Sequence, residues 1–490
     1  MKQPSAAVPA APIDAAHRPL PWWQVAGYGA GDAANNVAFT TTTMFLLVYY
    51  TDVAGISAAA AGTLLLVVRI FDAFADVFAG RVVDAAKVTR WGKFRPFIAF
   101  GSIPLLILAF LSFQVPAVGQ SGMLVYAYLT YAGMGLAYSL VNIPYGSMAA
   151  AMTQVSGDRA KLAAARVVGA TLVSAALGTF VSPLLKAGAD LQGIFTTVLL
   201  VAIVIGFALY MVCFFTARER VQRPVARVSL RDSLRSVGRN KPLLLLMLSS
   251  VLFLSAFLAL NTVQLFYIRD VLRAPGLFPV LALIQLVLTF AFVAVMPSLV
   301  RRFGKKTLYM AFAGLVVVGG LIVWLAPHST PAVGFIGLVI SLLGVLANNV
   351  VVFALEADTV EYGEWKTGVR SEGSIYAVFS FTRKCGQAIG GGIAGWGLAL
   401  GGYVAGAAQQ SDRALGGIQT TAGLVPAVLS LLALIVMLAY PLTDQVHADI
   451  VDEIRIRRET GRIPVVLEEQ LERETGSHPG RQTPPDGSTR

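Results

Sequence analysis

Twelve stretches of on the order of 20 apolar residues run through this chain, and they leave little choice of architecture. Backbone buried in hydrocarbon must satisfy its own hydrogen bonds, so long apolar runs cross a bilayer as helices. The spans read as 25–50, 57–80, 96–115, 122–145, 164–185, 192–216, 243–268, 277–300, 307–327, 332–355, 374–403 and 418–441. A composition 56% hydrophobic and 13% charged over 490 residues agrees with an all-α membrane protein. A long polar loop divides the spans into two sets of six. The predicted organisation is an N-terminal tail (1–20), a six-helix bundle (21–216), a central loop (217–242), a second six-helix bundle (243–442) and a C-terminal tail (443–490). No apolar h-region precedes the first span, which is expected to act as its own insertion signal.

The net charge of +11 is topology rather than a nucleic-acid face. Lys87, Arg90, Lys93 and Arg95 follow span two, and Arg159 and Lys161 follow span four. Arg218 to Lys241 fills the central loop with basic residues, Arg301 to Lys306 follows span eight, and Lys366 and Arg370 follow span ten. Alternate loops hold only Lys186, Arg269, Arg273 and Arg413. The positive-inside rule then puts both termini in the cytoplasm. Arg90-Trp91-Gly92-Lys93 recurs as Arg302-Phe303-Gly304-Lys305 after the second span of the second set, as expected of a duplicated bundle.

Cys213 and Cys385 stand apart, with no disulfide or zinc spacing, and the four histidines lie in tails or a loop. Proton traffic through the spans must therefore use carboxylates. The glycine run Gly390-Gly391-Gly392, with Gly395, Gly397, Gly401 and Gly402, lacks a preceding strand and a phosphate-binding lysine. It reads as close helix packing, as do Gly27 and Gly31. Thr443 to Gly476 reads as one or two surface helices, and the last dozen residues as disordered.

Ionisable residues inside the spans are few. A charge at mid-bilayer costs roughly 2.5–3.5 kcal/mol on insertion scales. The acids are Asp32 in span one and Asp72 and Asp76 in span two, all in the first half. The bases are Arg69, Arg166, Arg383 and Lys384. Asp72 and Asp76 share one helix face, where a like-charged neighbour and desolvation favour uptake of a proton. Arg69, three residues before Asp72, could instead form a structural salt bridge with it. Arg383 and Lys384 lie about 100° apart around their helix, so at most one of the two is expected to face a central cavity. Acid on one half and base on the other places their meeting at the bundle boundary, near mid-membrane.

The ordered motifs GYGAGD (Gly27–Asp32), YYTDVAG (Tyr49–Gly55), RIFDAFAD (Arg69–Asp76), RWGKFRPF (Arg90–Phe97), VNIPYGS (Val141–Ser147) and EYGEWKTGVRSEG (Glu361–Gly373) carry a family resemblance. The chain resembles the glycoside–pentoside–hexuronide:cation symporters of the major facilitator superfamily over roughly residues 24–460. ALEADTVEYGE (Ala354–Glu364) and FSFTRKCGQAIGG (Phe379–Gly391) look most like its glucuronide-carrying branch. By comparison with melibiose-carrying members, the resemblance implies cation coupling at Asp72, Asp76 and Ser139. It implies sugar contact at Asp32, Asn142, Arg166 and Lys384. Ala75 replaces an asparagine that helps hold the cation in those members, which favours a proton over sodium. Asn142 replaces a sugar-binding aspartate. Losing that charge while keeping Arg166 and Lys384 suits an anionic sugar.

The expectation is cation-coupled, preferably proton-coupled, symport of a glucuronide or other hexuronide by alternating access. Lys93, Arg95, Glu361 and Glu364 are candidate charges for latching the basic end by pairs between loops. No metal site, organic cofactor, nucleic-acid partner or obligate protein partner is expected; the partners are a sugar and the bilayer. The alternatives are a neutral glycoside or pentoside as cargo, or a lipid or amphiphile carried on the same scaffold. An enzyme is disfavoured, since too little chain lies outside the spans for a catalytic domain.

Overall fold

Each long apolar run forms a helix because nothing else in it can satisfy the backbone, and polar punctuation sets the ends. The computed structural model describes residues 19–153, 156–185, 190–220, 238, 240–367, 372–407 and 409–460. The first half comprises α1 (Trp22–Val48), α2 (Ala58–Ala85), α3 (Arg95–Leu111), α4 (Gln120–Met152), α5 (Ser156–Ala176) and α6 (Leu191–Thr216). The second comprises α7 (Lys241–Phe266), α8 (Leu277–Phe303), α9 (Lys305–Leu325), α10 (Pro331–Thr367) and α11 (Glu372–Gly401). The twelfth span is two helices, α12 (Asp412–Ala422) and α13 (Leu424–Leu438), broken at Gly423. Amphipathic α14 (Asp444–Thr460) follows and packs on α10. Most of the basic central loop, Lys186, Arg370 and the tail beyond 460 lie outside the described residues.

The halves repeat each other contact for contact. In the first, α1 packs on α5 and α6, α3 on α4 and α6, and α2 on α4. In the second, α7 packs on α11 and α13, α9 on α10 and α13, and α8 on α10. Between the halves, α2 meets α11, α5 meets α8 and α1 meets α7, which is the pattern of a pseudo-twofold axis.

Local chemistry repeats as well. The helix pairs α2–α3 and α8–α9 are joined at Gly92 (φ 102°) and Gly304 (φ 78°), left-handed turns that favour glycine. Just beyond Gly92, the Glu219 carboxylate accepts the backbone N–H groups of Lys93, Phe94 and Arg95 at 2.8, 2.7 and 3.2 Å. Beyond Gly304, Asp444 accepts the N–H of Lys305 at 2.8 Å. A carboxylate downstream of each half's last span thus satisfies the bare N-terminus of that half's third. Tyr49–Val53 (YYTDV) and Tyr267–Val271 (YIRDV) form matching π-turns at the ends of α1 and α7, an echo not noticed in the sequence reading.

Glycines set the closest approach between the halves. A methyl added to Gly62 of α2 would lie 2.8 Å from Gly395 Cα of α11, so neither position has room for a side chain. Within the second half, Gly386 and Gly390 of α11 press on the backbone of α7. Gly27 and Gly31 of α1 lie against Thr216, Tyr145 and Cys213.

One expectation needs correcting. Acids inside the spans are not confined to the first half. Helix α10 continues beyond its apolar stretch to Thr367 and carries Glu356 and Asp358 inward, 5% and 6% exposed. Asp358 is tolerated there because Lys305 pairs with it at 2.5 Å and His447 lies 3.5 Å away.

Removing either capping carboxylate should destabilise the protein. Glu219→Ala and Asp444→Ala should each cost about 1–2 kcal/mol. The loss should be greater for Glu219, which holds three amides, and thermal unfolding in detergent micelles measures both.

Candidate functional site

Helix α2 carries two carboxylates one turn apart, and the structure gives them different surroundings. Asp72 is 6% exposed and faces α4, where Gly135 leaves room for its carboxylate that any larger residue would fill. Arg69, one turn earlier, approaches its Oδ2 at 3.7 Å. The Arg69 guanidinium also lies 4.6 Å above the Phe39 ring and donates to Thr43 Oγ1 at 3.3 Å. Asp72 Oδ1 is buried without a hydrogen-bond donor. The structural salt bridge raised as an alternative is thus present as a loose contact, and it leaves one oxygen of Asp72 unsatisfied.

Asp76 is the more open of the two, with 29% of its side chain exposed. Ser139 Oγ of α4 donates to its Oδ1 at 2.6 Å. Lys384 of α11 forms an ion pair with its Oδ2 and donates to the Asp72 carbonyl at 3.2 Å. Two acids and a hydroxyl of the first half therefore meet a lysine of the second, with Phe74 and Phe381 edge to face beside them. The sequence reading grouped Lys384 with the sugar-contacting residues; here it sits among the α2 carboxylates.

Asp32 and Arg166 form a second cluster inside the first half. Arg166 Nε donates to Asp32 Oδ1 at 2.9 Å, and Asn36 donates to Oδ2 at 3.1 Å. The Arg166 guanidinium lies 5.2 Å from the centre of the Tyr145 ring, which stacks on Tyr28 at 4.6 Å. Asn142 joins through Asn35, whose amide donates to it at 3.4 Å and accepts from Tyr210 at 2.7 Å. The arrangement offers carboxylate, amide, guanidinium and aromatic faces together, the usual means of holding a sugar.

Of the candidate latching charges, Arg95 is engaged within its own half. Arg95 Nε donates to the Phe214 carbonyl at 2.7 Å and its guanidinium stacks on that ring. The Lys93 N–H goes to Glu219. Glu361 lies 3.8 Å from His447 of α14, and Glu364 is buried. Arg95 is therefore built into the α3–α6 corner rather than left to reach across.

The sequence reading missed a cluster at the end opposite the basic loops. Arg269, in the π-turn after α7, donates to Asp52 of the first half at 2.8 Å and grips Asp270 through two bonds of 2.7 and 2.9 Å. Tyr403, beyond α11, accepts from Arg269 at 2.8 Å and donates to Asp52 at 2.8 Å. The three charged side chains are largely buried, and the contact ties the two halves together at that end of the boundary. The available signal was the repeated Y-x-x-D-V, which puts Asp52 and Asp270 at equivalent positions. Arg269 had counted only as one of a few loop cations.

The chain matches the family of MFS/sugar transport proteins over residues 27–444. It is 48% identical over 444 residues to the glucuronide carrier protein homolog of Escherichia coli (strain K12), covering 90% of this chain and 96% of that protein. The isoprimeverose transporter of Lactiplantibacillus pentosus is 33% identical over 430 residues, covering 86% and 89%. The crystal structure of a D-xylose-proton symporter superposes with a TM-score of 0.59 over 84% of this chain and 96% of that one. At 12% identity the likeness is one of fold.

Removing Arg269 would leave Asp52 and Asp270 buried without their counter-charge, so the sealed end should open. In a background lacking Cys213 and Cys385, a cysteine at Thr51 should react with a membrane-impermeant maleimide at least about tenfold faster when Arg269→Gln is added. An unchanged rate would show that the cluster does not hold this end shut.

Proposed function

The chain belongs to the family of MFS/sugar transport proteins, and on that premise we propose that it imports a glucuronide or related hexuronide with a cation, a proton in preference to sodium. The two halves rock about the boundary, exposing the central residues to each side in turn. The basic loops face the cytoplasm, and the Asp52–Arg269 end faces outward.

The observation that carries this reading is the meeting of Asp76, Ser139 and Lys384 across the boundary. A carboxylate on a membrane-spanning helix needs a positive charge or a proton. In the empty carrier Lys384 supplies the charge and ties α11 to α2. A proton arriving on Asp76 neutralises it, frees Lys384 and loosens the tie, so protonation and the movement of the halves are one event. Asp72 contributes an oxygen already lacking a donor, one turn away. A sodium ion would need several oxygens held around it; Ala75 supplies none, and Lys384 fills one side of Asp76.

Sugar binding is assigned to the Asp32, Asn142 and Arg166 cluster, whose groups can exchange hydrogen bonds with hydroxyls. An anionic cargo is supported by Asn142, which adds no negative charge, and by the likeness to a glucuronide carrier homolog.

Uptake into proteoliposomes under separately imposed gradients tests the coupling. One proton with one monovalent glucuronide moves no net charge, so accumulation should follow the pH gradient and ignore voltage. A neutral glycoside with a proton would gain about 2.3 kcal/mol per 100 mV. Asp76→Asn should abolish gradient-driven accumulation while glucuronide exchange continues, because the variant mimics the protonated state permanently. Full accumulation by Asp76→Asn and Asp72→Asn would refute the assignment.

A further inference from the structure

The second half carries an arginine, Arg383, with no carboxylate at ion-pair distance among the described residues. Tyr267 of the second π-turn lies 218 positions after Tyr49 of the first, and the same step from Asp32 reaches Ser250. Tyr362-Gly363 lies 217 positions after Tyr145-Gly146, and that step from Arg166 reaches Arg383. The helices correspond too: α5 packs on α1 as α11 packs on α7. Ser250 and Arg383 are therefore the repeat mates of Asp32 and Arg166.

The two sites differ in one charge. In the first half Arg166 and Asp32 pair at 2.9 Å. In the second, Ser250 Oγ is buried with no hydrogen-bond partner. Both polar atoms of the Asn348 side chain are also buried beside Tyr309, without a hydrogen bond of good geometry. Arg383 rests 4.7 Å over the Phe353 ring, with no carboxylate at ion-pair distance among the described residues. Glu356 on α10 acts on it through space only, and its own Oε1 lacks a donor. Ser250, Tyr309, Asn348, Asn349 and Arg383 line one cleft, with room for about one water molecule. Buried polar groups are seldom left unmet, and a cluster of donors around an arginine without an acid asks for an anion.

We propose that Arg383, with Ser250 and Asn348, receives the carboxylate of the transported sugar, one oxygen of which takes the water-sized space where the first repeat holds the carboxylate of Asp32. The inference rests on the hexuronide reading above and adds the residue that selects the anion. It also departs from Arg166 and Lys384 as the selecting charges, because each already has a carboxylate in this structure. The charge to spare is the one on Arg383.

Calorimetric binding of 4-nitrophenyl β-glucuronide and 4-nitrophenyl β-glucoside to the purified carrier separates the possibilities, since the two differ at one carbon. The wild type should prefer the glucuronide. Arg383→Gln should weaken the glucuronide about 10- to 100-fold, the range of a hydrogen bond to a charged group, and leave the glucoside within about twofold. Ser250→Asp restores the acid of the first repeat and should remove the preference without removing glucoside binding. A preference that survives in both variants overturns the proposal, as does an equal loss of both ligands in both variants. A wild type with no preference overturns the hexuronide reading itself, which is a different result.

Discussion

The contact between Asp76 and Lys384 joins the two halves of this protein through a charge on each of two membrane-spanning helices. Each half is a self-contained set of packed helices, and the boundary between them is made of small residues and a few charges. Gly62 against Gly395 lets α2 and α11 approach without interlocking side chains, so the boundary can slide or rock. In the function proposed above, the ion pair decides when it does. A contact that holds only while a carboxylate is ionised converts the presence of a proton into a change of shape, and no separate sensor is needed.

The same requirement, that a buried charge be met, accounts for the other clusters. Asp52 and Asp270 are met by Arg269, and the outcome is a tie between the two halves. Asp32 is met by Arg166, and the outcome is a fixed set of groups in the first half. Asp358 is met by Lys305, and α10 can run past its apolar stretch. Arg383 breaks the pattern, and the two repeats show what has changed: a serine stands where an aspartate stood. Duplication supplies the internal control, because the first half displays the arrangement from which the second has departed.

Much of the fold was legible in the chain. Apolar length set the spans, loop charge set their alternation, and the RWGK and RFGK turns announced the duplication. The pairing of Asp76 with Ser139 was reachable only through family resemblance, since neither residue stands out on its own helix. The Arg269 cluster was harder to see, because a cation beyond a span looks like any loop charge until a π-turn folds it back against Asp52. Glu356 and Asp358 were lost to a hydropathy boundary: an apolar stretch ends where lipid would object, but a helix ends where its backbone is capped.

Sequence alone determined that this chain must lie in a bilayer as two sets of six helices, since hydrocarbon permits no other use of so many long apolar runs. It determined which few side chains would be costly there. Tertiary structure decided how that cost is met, because partners such as Asp76 and Lys384, or Asp52 and Arg269, are separated by hundreds of residues. Only tertiary packing brings Asp76 to Lys384 and Asp52 to Arg269, and leaves Arg383 with no carboxylate at ion-pair distance among the described residues.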